Sequence, residues 1–244
     1  MTMPNEHGEW IMYGVGDDDP RRIKSAEELM ETVDRVGFLP LFKNSVPGFS
    51  VEERTVPYFW WTGDAERDPW EWRTVAARSG KVAYGKFFGK KAGFLSLQWL
   101  PTFANWRRDG YDFDAKYDDG KAPFRQKKIM DLFSDGEEYF SYQAKQKAGF
   151  GKGGEKNFDG VVTELEMMTY LVIKDFRCRR NKMGEEYGWS IAVLSAPESI
   201  WGSELVSSAY GEAPEESYRR VLKHMKQLYP DAGESQIKSI IGKF

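Results

Sequence analysis

The order of amphipathic segments between residues 121 and 202 restricts the fold of this chain more than any other feature. Apolar residues recur at helical spacing in APFRQKKIMDLFSDG, and EEYFSYQAKQKAG continues as a second, shorter helix. A third helix is predicted from an apolar stripe at helical spacing, formed by Phe158, Val161, Val162, Leu165 and Met168. Two β-rich runs, YLVIKDFRCRR and YGWSIAVLSAP, then enclose a polar turn that contains Gly184, which predicts a hairpin. Three helices followed by a hairpin are the element order of a winged-helix module.

The N-terminal part, residues 1–120, is rich in aromatic residues and predicts a second helix-plus-hairpin unit. Ser25 can cap a helix over SAEELMETVDRV, in which Glu28 completes a capping box. Asp68 followed by Pro69 is typical of a second helix start. The runs VAYGKFF and FLSL on either side of GKKAG predict a short hairpin with a basic tip.

The remaining segments complete an α+β, mostly helical chain. We predict a packed but irregular segment over FLPLFKNSVPGFSVEERTVPYFWW, because three prolines interrupt it. Ser96 is expected to open a helix over SLQWLPTFANWRRDG, and YDFDAKYDDGKA at 111–122 to be a linker or surface loop. A helical C-terminal segment is predicted over 203–244. The divisions 1–120, 121–202 and 203–244 can also form one compact unit.

Composition excludes several classes of site. The chain of 244 residues has 41% apolar residues and a formal net charge of −3, with nine Lys or Arg and five Asp or Glu residues in 143–183. Its single cysteine, Cys178, excludes an internal disulfide, and His7 and His224 are too few for a zinc cluster. We therefore expect no metal and no cofactor. No stretch approaches the ~18 apolar residues of a membrane span, and we expect a cytoplasmic protein with no membrane partner.

The stretch GFGKGG, residues 149–154, satisfies the spacing G-x-G-x-x-G of dinucleotide-binding loops. That spacing requires a preceding strand, whereas YFSYQAKQKA is helical in character. It is not a P-loop either, because Gly153 follows Lys152 where Ser or Thr is required. We predict a helix C-cap at Gly149 and a cationic turn into the third helix. Lys152 and Lys156 either meet a phosphate there, or the glycines serve only close helix packing.

A family resemblance is carried by KAGFGKGGEKNFDGVVTELEMMTYLVIKDFRCRRNKMGEEYGWSIAVLSAPESIWG. This stretch resembles the winged-helix module of the bacterial DNA glycosylases that unhook interstrand crosslinks and act on bulky alkylated bases. From about Gly37 to Trp201, including WWTGDAERDPWEWR and GKFFGKKAGFLSLQWLPTFANWRRDGYDFD, the chain resembles the short bacterial proteins related to those glycosylases. The resemblance implies that residues 158–169 are the recognition helix and that NKMGEE is the wing tip. The glycosylases carry a catalytic Gln-x-Asp or Gln-x-Gln element; the nearest string here, Gln98-Trp99-Leu100, lacks the second polar residue, so no catalytic residue is assigned.

The first functional hypothesis is a protein that binds double-stranded DNA in repair or stress response. Its candidate contacts are Lys152, Lys156, Asn157, Thr163, Lys174, Arg177, Arg179, Arg180 and Lys182. Strand alternation places Arg177 and Arg179 on one face and Cys178 and Arg180 on the other, so only part of this cluster can touch one duplex. Carboxylates on the outer side of the third helix oppose phosphate. A winged-helix protein-interaction module, with a protein partner or self-association, therefore stays an alternative.

The second hypothesis places a site in the aromatic N-terminal part. Its residues are dense enough to stack on a flipped base, and the candidate pocket consists of Trp60, Trp61, Trp72, Tyr84, Gln98 and Trp99. The corresponding function is that of a monofunctional, base-flipping DNA glycosylase or another small-ligand binder. Core packing is the alternative role of the same aromatic residues.

Overall fold

A computed structural model describes residues 12–242 of the protein. His7 and the first part of the N-terminal segment lie outside the described residues. The fold mixes helices with two small antiparallel sheets of three strands each. The first half contains, in chain order, α1 (Ala26–Val36), β1 (Phe38–Pro40), short 3-10 turns at Glu52–Arg54 and Pro57–Phe59, α2 (Pro69–Ser79), β2 (Val82–Phe88), β3 (Lys91–Ser96), α3 (Leu100–Arg108) and α4 (Phe113–Asp118).

The helix starts predicted from capping residues are confirmed. The Ser25 hydroxyl accepts a hydrogen bond from the Glu28 amide, and Gly37 ends α1 with a φ of +88°. The Asp68 carboxylate accepts from the Trp70 amide at the start of α2, and Gly80 ends that helix in the left-handed region. Local side-chain chemistry therefore determines these boundaries.

The first sheet has the strand order β1-β3-β2. The predicted hairpin is present as β2 and β3, with Tyr84 opposite Phe94. The strand β1 was not predicted: FLP pairs with β3 through Phe38 opposite Leu95. Pro40 is tolerated because β1 lies at the edge of the sheet.

Two other local predictions were wrong. The first helical residue after Ser96 is Leu100, because Ser96 ends β3 and its buried backbone amide pairs with Gly37. The segment 111–122 contains the helix α4, since the Asp112 carboxylate caps it by accepting from the Ala115 amide. Its carboxylates therefore belong to a helix and not to a linker.

The second half begins with α5 (Phe124–Met130), a 3-10 turn at Asp131–Phe133, β4 (Tyr139–Phe140), α6 (Ser141–Lys147) and α7 (Phe158–Met167). The long hairpin of β5 (Val172–Arg180) and β6 (Glu186–Ser195) follows. The second sheet has the order β4-β6-β5. All three predicted helices and the predicted hairpin are present, and β4 adds a strand that the sequence pattern did not indicate.

The chain ends with α8 (Pro197–Trp201), α9 (Ser203–Val206), α10 (Pro214–Leu228) and α11 (Glu234–Ile241). Helix α10 packs on α3, where Tyr218 lies against Trp106. One cluster of buried apolar side chains includes residues from Ile23 to Ile241 and so contains members of all three predicted segments. Within residues 12–242, no helix has the length and apolarity needed to cross a membrane.

The two halves are joined by arginines at their boundary. The guanidinium of Arg73 on α2 lies between the rings of Trp70 and Phe176, 3.5 and 4.1 Å from their centroids. Arg107 on α3 donates hydrogen bonds to the carbonyl oxygens of Met167, Phe87 and Ile241, at 2.8, 2.6 and 2.9 Å. The Arg73 contact joins α2 to β5, and the Arg107 contacts join α3 to β2 and to the ends of α7 and α11.

Candidate nucleic-acid interface

The end of the β5–β6 hairpin projects from the molecule. Every residue from 179 to 190, which we call the hairpin tip, is exposed. The Asn181 side-chain oxygen forms the turn by accepting from the amides of Met183 and Glu185 at 2.9 and 3.0 Å. Gly184 takes a φ of +85° there, which favours glycine.

The hairpin tip displays large apolar side chains beside its cations. Trp189 is 92% exposed and Met183 80% exposed, and Tyr187 is half exposed. Three residues of β6, from Gly188 to Ser190, lie opposite the single residue Cys178 in the pairing of the two strands. Such a bulge re-aims side chains, and it directs Trp189 into solvent.

An open groove of about 710 Å³ lies beside the hairpin tip, between α2 and the start of α6. We call it the basic-aromatic groove. Its arginines and aromatic residues come from five different elements, and its lining residues are Arg78, Phe140, Tyr142, Asp175, Phe176, Arg177, Cys178, Arg179, Arg180, Glu186, Tyr187 and Ser190.

The groove follows the edge strand β5 lengthwise. Strand alternation predicts that Arg177 and Arg179 are separated from Cys178 and Arg180, yet all four border the groove. They do so because β5 is the outer strand of its sheet, and a cavity along an edge is reached from both faces. That only part of the basic cluster can touch one duplex stays a prediction.

Carboxylates hold most of the cations of β5. Glu138 binds Lys174 at 2.5 Å and Arg177 at 2.6 Å. The buried carboxylate of Asp175 binds Arg177 at 2.7 Å and Arg78 at 3.0 Å. These contacts orient the side chains and neutralise part of their charge, so Lys174 and Arg177 are weaker phosphate ligands than their sequence suggests.

Arg179 differs from its neighbours. Its guanidinium lies over the ring of Tyr142, 4.5 Å from the centroid, and no carboxylate among the described residues is within salt-bridge distance of it. Tyr142 is itself stacked on Phe140, with centroids 5.5 Å apart. The Tyr187 backbone is the cross-strand partner of Arg179, which places both side chains on one face. Arg180 instead pairs with Glu186 at 3.2 Å.

The glycine stretch, residues 149–154, connects α6 to the segment before α7. The C-cap of α6 is Ala148 and not Gly149 as predicted. Gly149 is the next residue and has a φ of +73°, where glycine is commonly found after a helix. Gly154 lies so close to Gly149 that a Cβ atom on it would be 2.2 Å from the Gly149 carbonyl oxygen. Lys152 and Lys156 are exposed, and Lys152 borders a shallow cavity of about 470 Å³ that also contacts Tyr142.

Helix α7 presents little to solvent that can bind DNA. Thr163 is buried, and its hydroxyl donates to the Asp159 carbonyl and accepts from the Lys86 ammonium. Its exposed side chains are Asp159 and Glu164. Asn157, before the helix, is exposed in the left-handed region with a φ of +65°. Thr163 is therefore removed from the candidate contacts, because β2 covers it.

The six candidate pocket residues lie in different places. Trp60 and Trp72 are core residues whose indole N–H groups donate to the Thr55 hydroxyl and the Glu66 carbonyl, both at 3.0 Å. Tyr84 is buried against Phe94, and burial raises its pKa to about 12.

The other three candidate pocket residues are Trp61, Gln98 and Trp99. Trp61 is exposed. Gln98 is exposed beside Trp99, which packs on His224 at a centroid distance of 4.3 Å. Packing explains the buried aromatic residues, although Trp72 also borders a cavity of about 230 Å³. The base pocket stays a prediction.

Sequence reasoning did not single out Arg78 and Tyr142, which line the groove, or Trp189, which is exposed on the hairpin tip. Arg78 and Tyr142 reach the groove only through the packing of α2 and α6 on the hairpin. The exposure of Trp189 could have been predicted from the sequence, because Trp189 lies only a few residues after the polar turn of the predicted hairpin.

In residues 12–242, no group of three or more His, Cys, Asp or Glu residues is arranged to hold a metal ion.

Comparison with known proteins places the chain in a family. The chain matches no curated protein and no solved structure. The sequence model of the AlkZ-related family matches residues 23–242, nearly the whole described region. The chain therefore belongs to the AlkZ-related family, which relates it to the AlkZ crosslink-repair DNA glycosylases.

Proposed function

We propose that this protein binds double-stranded DNA, in a DNA-repair or stress-response role, through the hairpin tip and the glycine stretch. The observation that carries the proposal is the hairpin tip itself, where Arg179, Arg180 and Lys182 stand beside the exposed Trp189 and Met183. Large exposed apolar side chains mark interaction sites, and arginine and lysine supply the phosphate contacts of DNA-binding proteins.

The proposed architecture of this interface is a winged-helix module over residues 124–195, with the β5–β6 hairpin as its wing. Two observations support it: the element order is helix, strand, helix, helix, strand, strand, and the sheet has the order β4-β6-β5. In this module α7 has the position of the recognition helix.

The wing and not α7 makes the main contact in our proposal. The exposed carboxylates of Asp159 and Glu164 repel phosphate, and β2 covers the opposite face of the helix. Lys152 and Lys156 at the glycine stretch add a second cationic patch near the N-terminus of α7, where backbone amides favour anions.

Titration of a labelled duplex tests the proposal. Several phosphate contacts should weaken the affinity by about 10-fold or more between about 50 and 200 mM salt. The double variant Arg180→Glu/Lys182→Glu should weaken binding at low salt and reduce the salt dependence. Its matched control, Arg219→Glu/Lys223→Glu, makes the same charge change on exposed positions of α10 and should leave the affinity within about twofold of the unmodified protein, because few phosphates approach this helix.

Absence of binding at the lower salt concentration rejects DNA binding and favours the alternative of a protein-interaction module. Equal losses in the hairpin variant and the α10 variant reject the hairpin tip as the contact surface. A separate Lys152→Ala/Lys156→Ala variant decides whether the glycine stretch touches phosphate or serves only the packing of α6 and α7.

The family relationship favours one second candidate function, release of an alkylated base by a monofunctional glycosylase. A duplex that contains N7-methylguanine is incubated with the protein, and abasic sites are measured by alkaline strand cleavage. Accumulation of abasic sites that stops in the hairpin variant Arg180→Glu/Lys182→Glu supports this candidate. No abasic sites at stoichiometric protein rejects it and leaves DNA binding intact.

A further inference from the structure

The size of the basic-aromatic groove suits a small ligand. Its volume of about 710 Å³ falls within the ~300–1,000 Å³ of small-ligand sites. The groove therefore has room for one nucleotide unit.

The chemistry of the lining matches a phosphorylated heterocycle. Arg179, Tyr142 and Phe140 form one layered stack, with the guanidinium on the ring of Tyr142 and that ring on Phe140. Bases stack on tyrosine rings and on guanidinium planes. Because no carboxylate among the described residues binds Arg179, its planar face is available to a base. Tyr187 lies on the same face of the hairpin and borders the groove.

Arg78 gives the groove a further group that can bind an anion. Arg78 extends from α2 into the groove, where its Nε donates to the Asp175 carboxylate at 3.0 Å and one terminal nitrogen donates to the Phe176 carbonyl at 3.4 Å. The side chain is mostly exposed. A guanidinium held on one side in this way presents its remaining N–H groups in a fixed direction, which suits a phosphate.

We propose that the basic-aromatic groove binds one unpaired nucleotide, with the base on the Arg179–Tyr142 stack and the phosphate on Arg78. Polymeric and free nucleotides share this chemistry. This inference rests on the proposed function for the origin of the nucleotide. That origin is an unpaired position in DNA that the neighbouring hairpin tip binds.

Fluorescence anisotropy tests the inference with three labelled probes: a fully paired duplex, the same duplex with one unpaired thymidine at its centre, and a short oligothymidylate. The unpaired site should bind at least about 5-fold more tightly than the paired duplex, since stacking of one base contributes ~1–3 kcal/mol. Tyr142→Ala should remove this preference and leave the affinity for the paired duplex within about twofold, because stacking on an aromatic ring requires an unpaired base. Arg179→Lys should also reduce the preference, because an ammonium lacks the stacking plane.

The matched control is Tyr58→Ala, which removes a tyrosine that is exposed outside the groove and should retain the preference. Competition with thymidine monophosphate separates the sources. Displacement of the probe only at millimolar concentration assigns the site to polymeric DNA, and Tyr142-dependent displacement at micromolar concentration assigns it to a free nucleotide.

Equal affinities for paired and unpaired duplexes, or a preference that survives Tyr142→Ala, overturn the inference and leave the proposed duplex binding standing. Tyr142-dependent binding of oligothymidylate without any affinity for paired duplex does the reverse: it retains the groove and rejects the proposed function.

Discussion

The carboxylate of Glu166 on α7 accepts a hydrogen bond of 3.3 Å from the backbone amide of Lys86 on β2 and lies 3.9 Å from the Lys86 ammonium. Glu166 is 1% exposed. The same ammonium donates to the Thr163 hydroxyl at 3.0 Å. One lysine of the first sheet therefore holds two buried polar residues of α7, and this explains why that helix faces the first sheet.

Glu166 is expected to make stability depend on pH. Burial raises the pKa of Glu166 from 4.5 to about 7. The folded protein then binds a proton more tightly than the unfolded chain, so the contribution of Glu166 is fully present below about pH 4.5 and is lost as pH rises to about 7. Relative to Glu166→Gln, the unmodified protein should lose about 2 kcal/mol of unfolding free energy between about pH 5 and 8. Urea unfolding of both proteins at the two pH values measures this difference.

The control for this prediction is Glu164→Gln, which changes an exposed carboxyl group on the same helix. It should keep the pH dependence of the unmodified protein. Parallel pH profiles of the unmodified protein and Glu166→Gln contradict the predicted role of the buried carboxyl group.

Arg107 is expected to be essential for stability. Its guanidinium donates to three carbonyl oxygens on three separate segments. Arg107→Met leaves these oxygens without their partner, and each unsatisfied buried group costs ~1–3 kcal/mol. We expect a loss of about 3 kcal/mol or more in the free energy of unfolding, measured with urea. Arg219→Met on exposed α10 should change it by less than about 0.5 kcal/mol, and similar losses in both variants would refute the assignment.

Glycine is required at position 154 because there is no room for a Cβ atom, and not because of the backbone conformation. A Cβ atom at this position would stand 2.2 Å from the Gly149 carbonyl oxygen, so the turn must open. Gly154→Ala should reduce the free energy of unfolding by about 1–3 kcal/mol. Gly211→Ala is the matched control, because its Cβ meets open space. A stable Gly154→Ala variant with unchanged DNA affinity would show that the turn tolerates opening.

Two tryptophans should separate stability from binding. Trp72 is 2% exposed, and Trp72→Ala should cost about 3–5 kcal/mol of unfolding free energy. Trp189→Ala should change stability by less than about 0.5 kcal/mol and weaken DNA binding. Thermal unfolding and duplex titration of both variants measure the two effects. If Trp72→Ala is only weakly destabilised but loses DNA binding, the DNA-binding site lies in the aromatic N-terminal part.

Several helices and strands can be predicted from sequence signals that lie within a few residues of one another. The caps at Ser25 and Asp68, the stripe of α7 and the β5–β6 hairpin around Gly184 are set by local hydrogen bonds and side-chain periodicity. The helix predicted before Gly149 is present as α6. The strand β1 was missed, because its hydrogen-bond partner β3 is more than 50 residues away along the chain.

The sequence by itself determined the capped helices, the three helices between 121 and 167 and both hairpins, and it placed the cations near the second hairpin. Only the tertiary structure decided which of those side chains reach solvent. Packing of β2 on α7 buried Thr163, and Trp60 and Trp72 became part of the hydrophobic core. Packing of α2 and α6 beside β5 brought Arg78 and Tyr142 to one groove. The physical reason is that local structure depends on neighbouring residues, whereas burial and site geometry depend on contacts between distant segments.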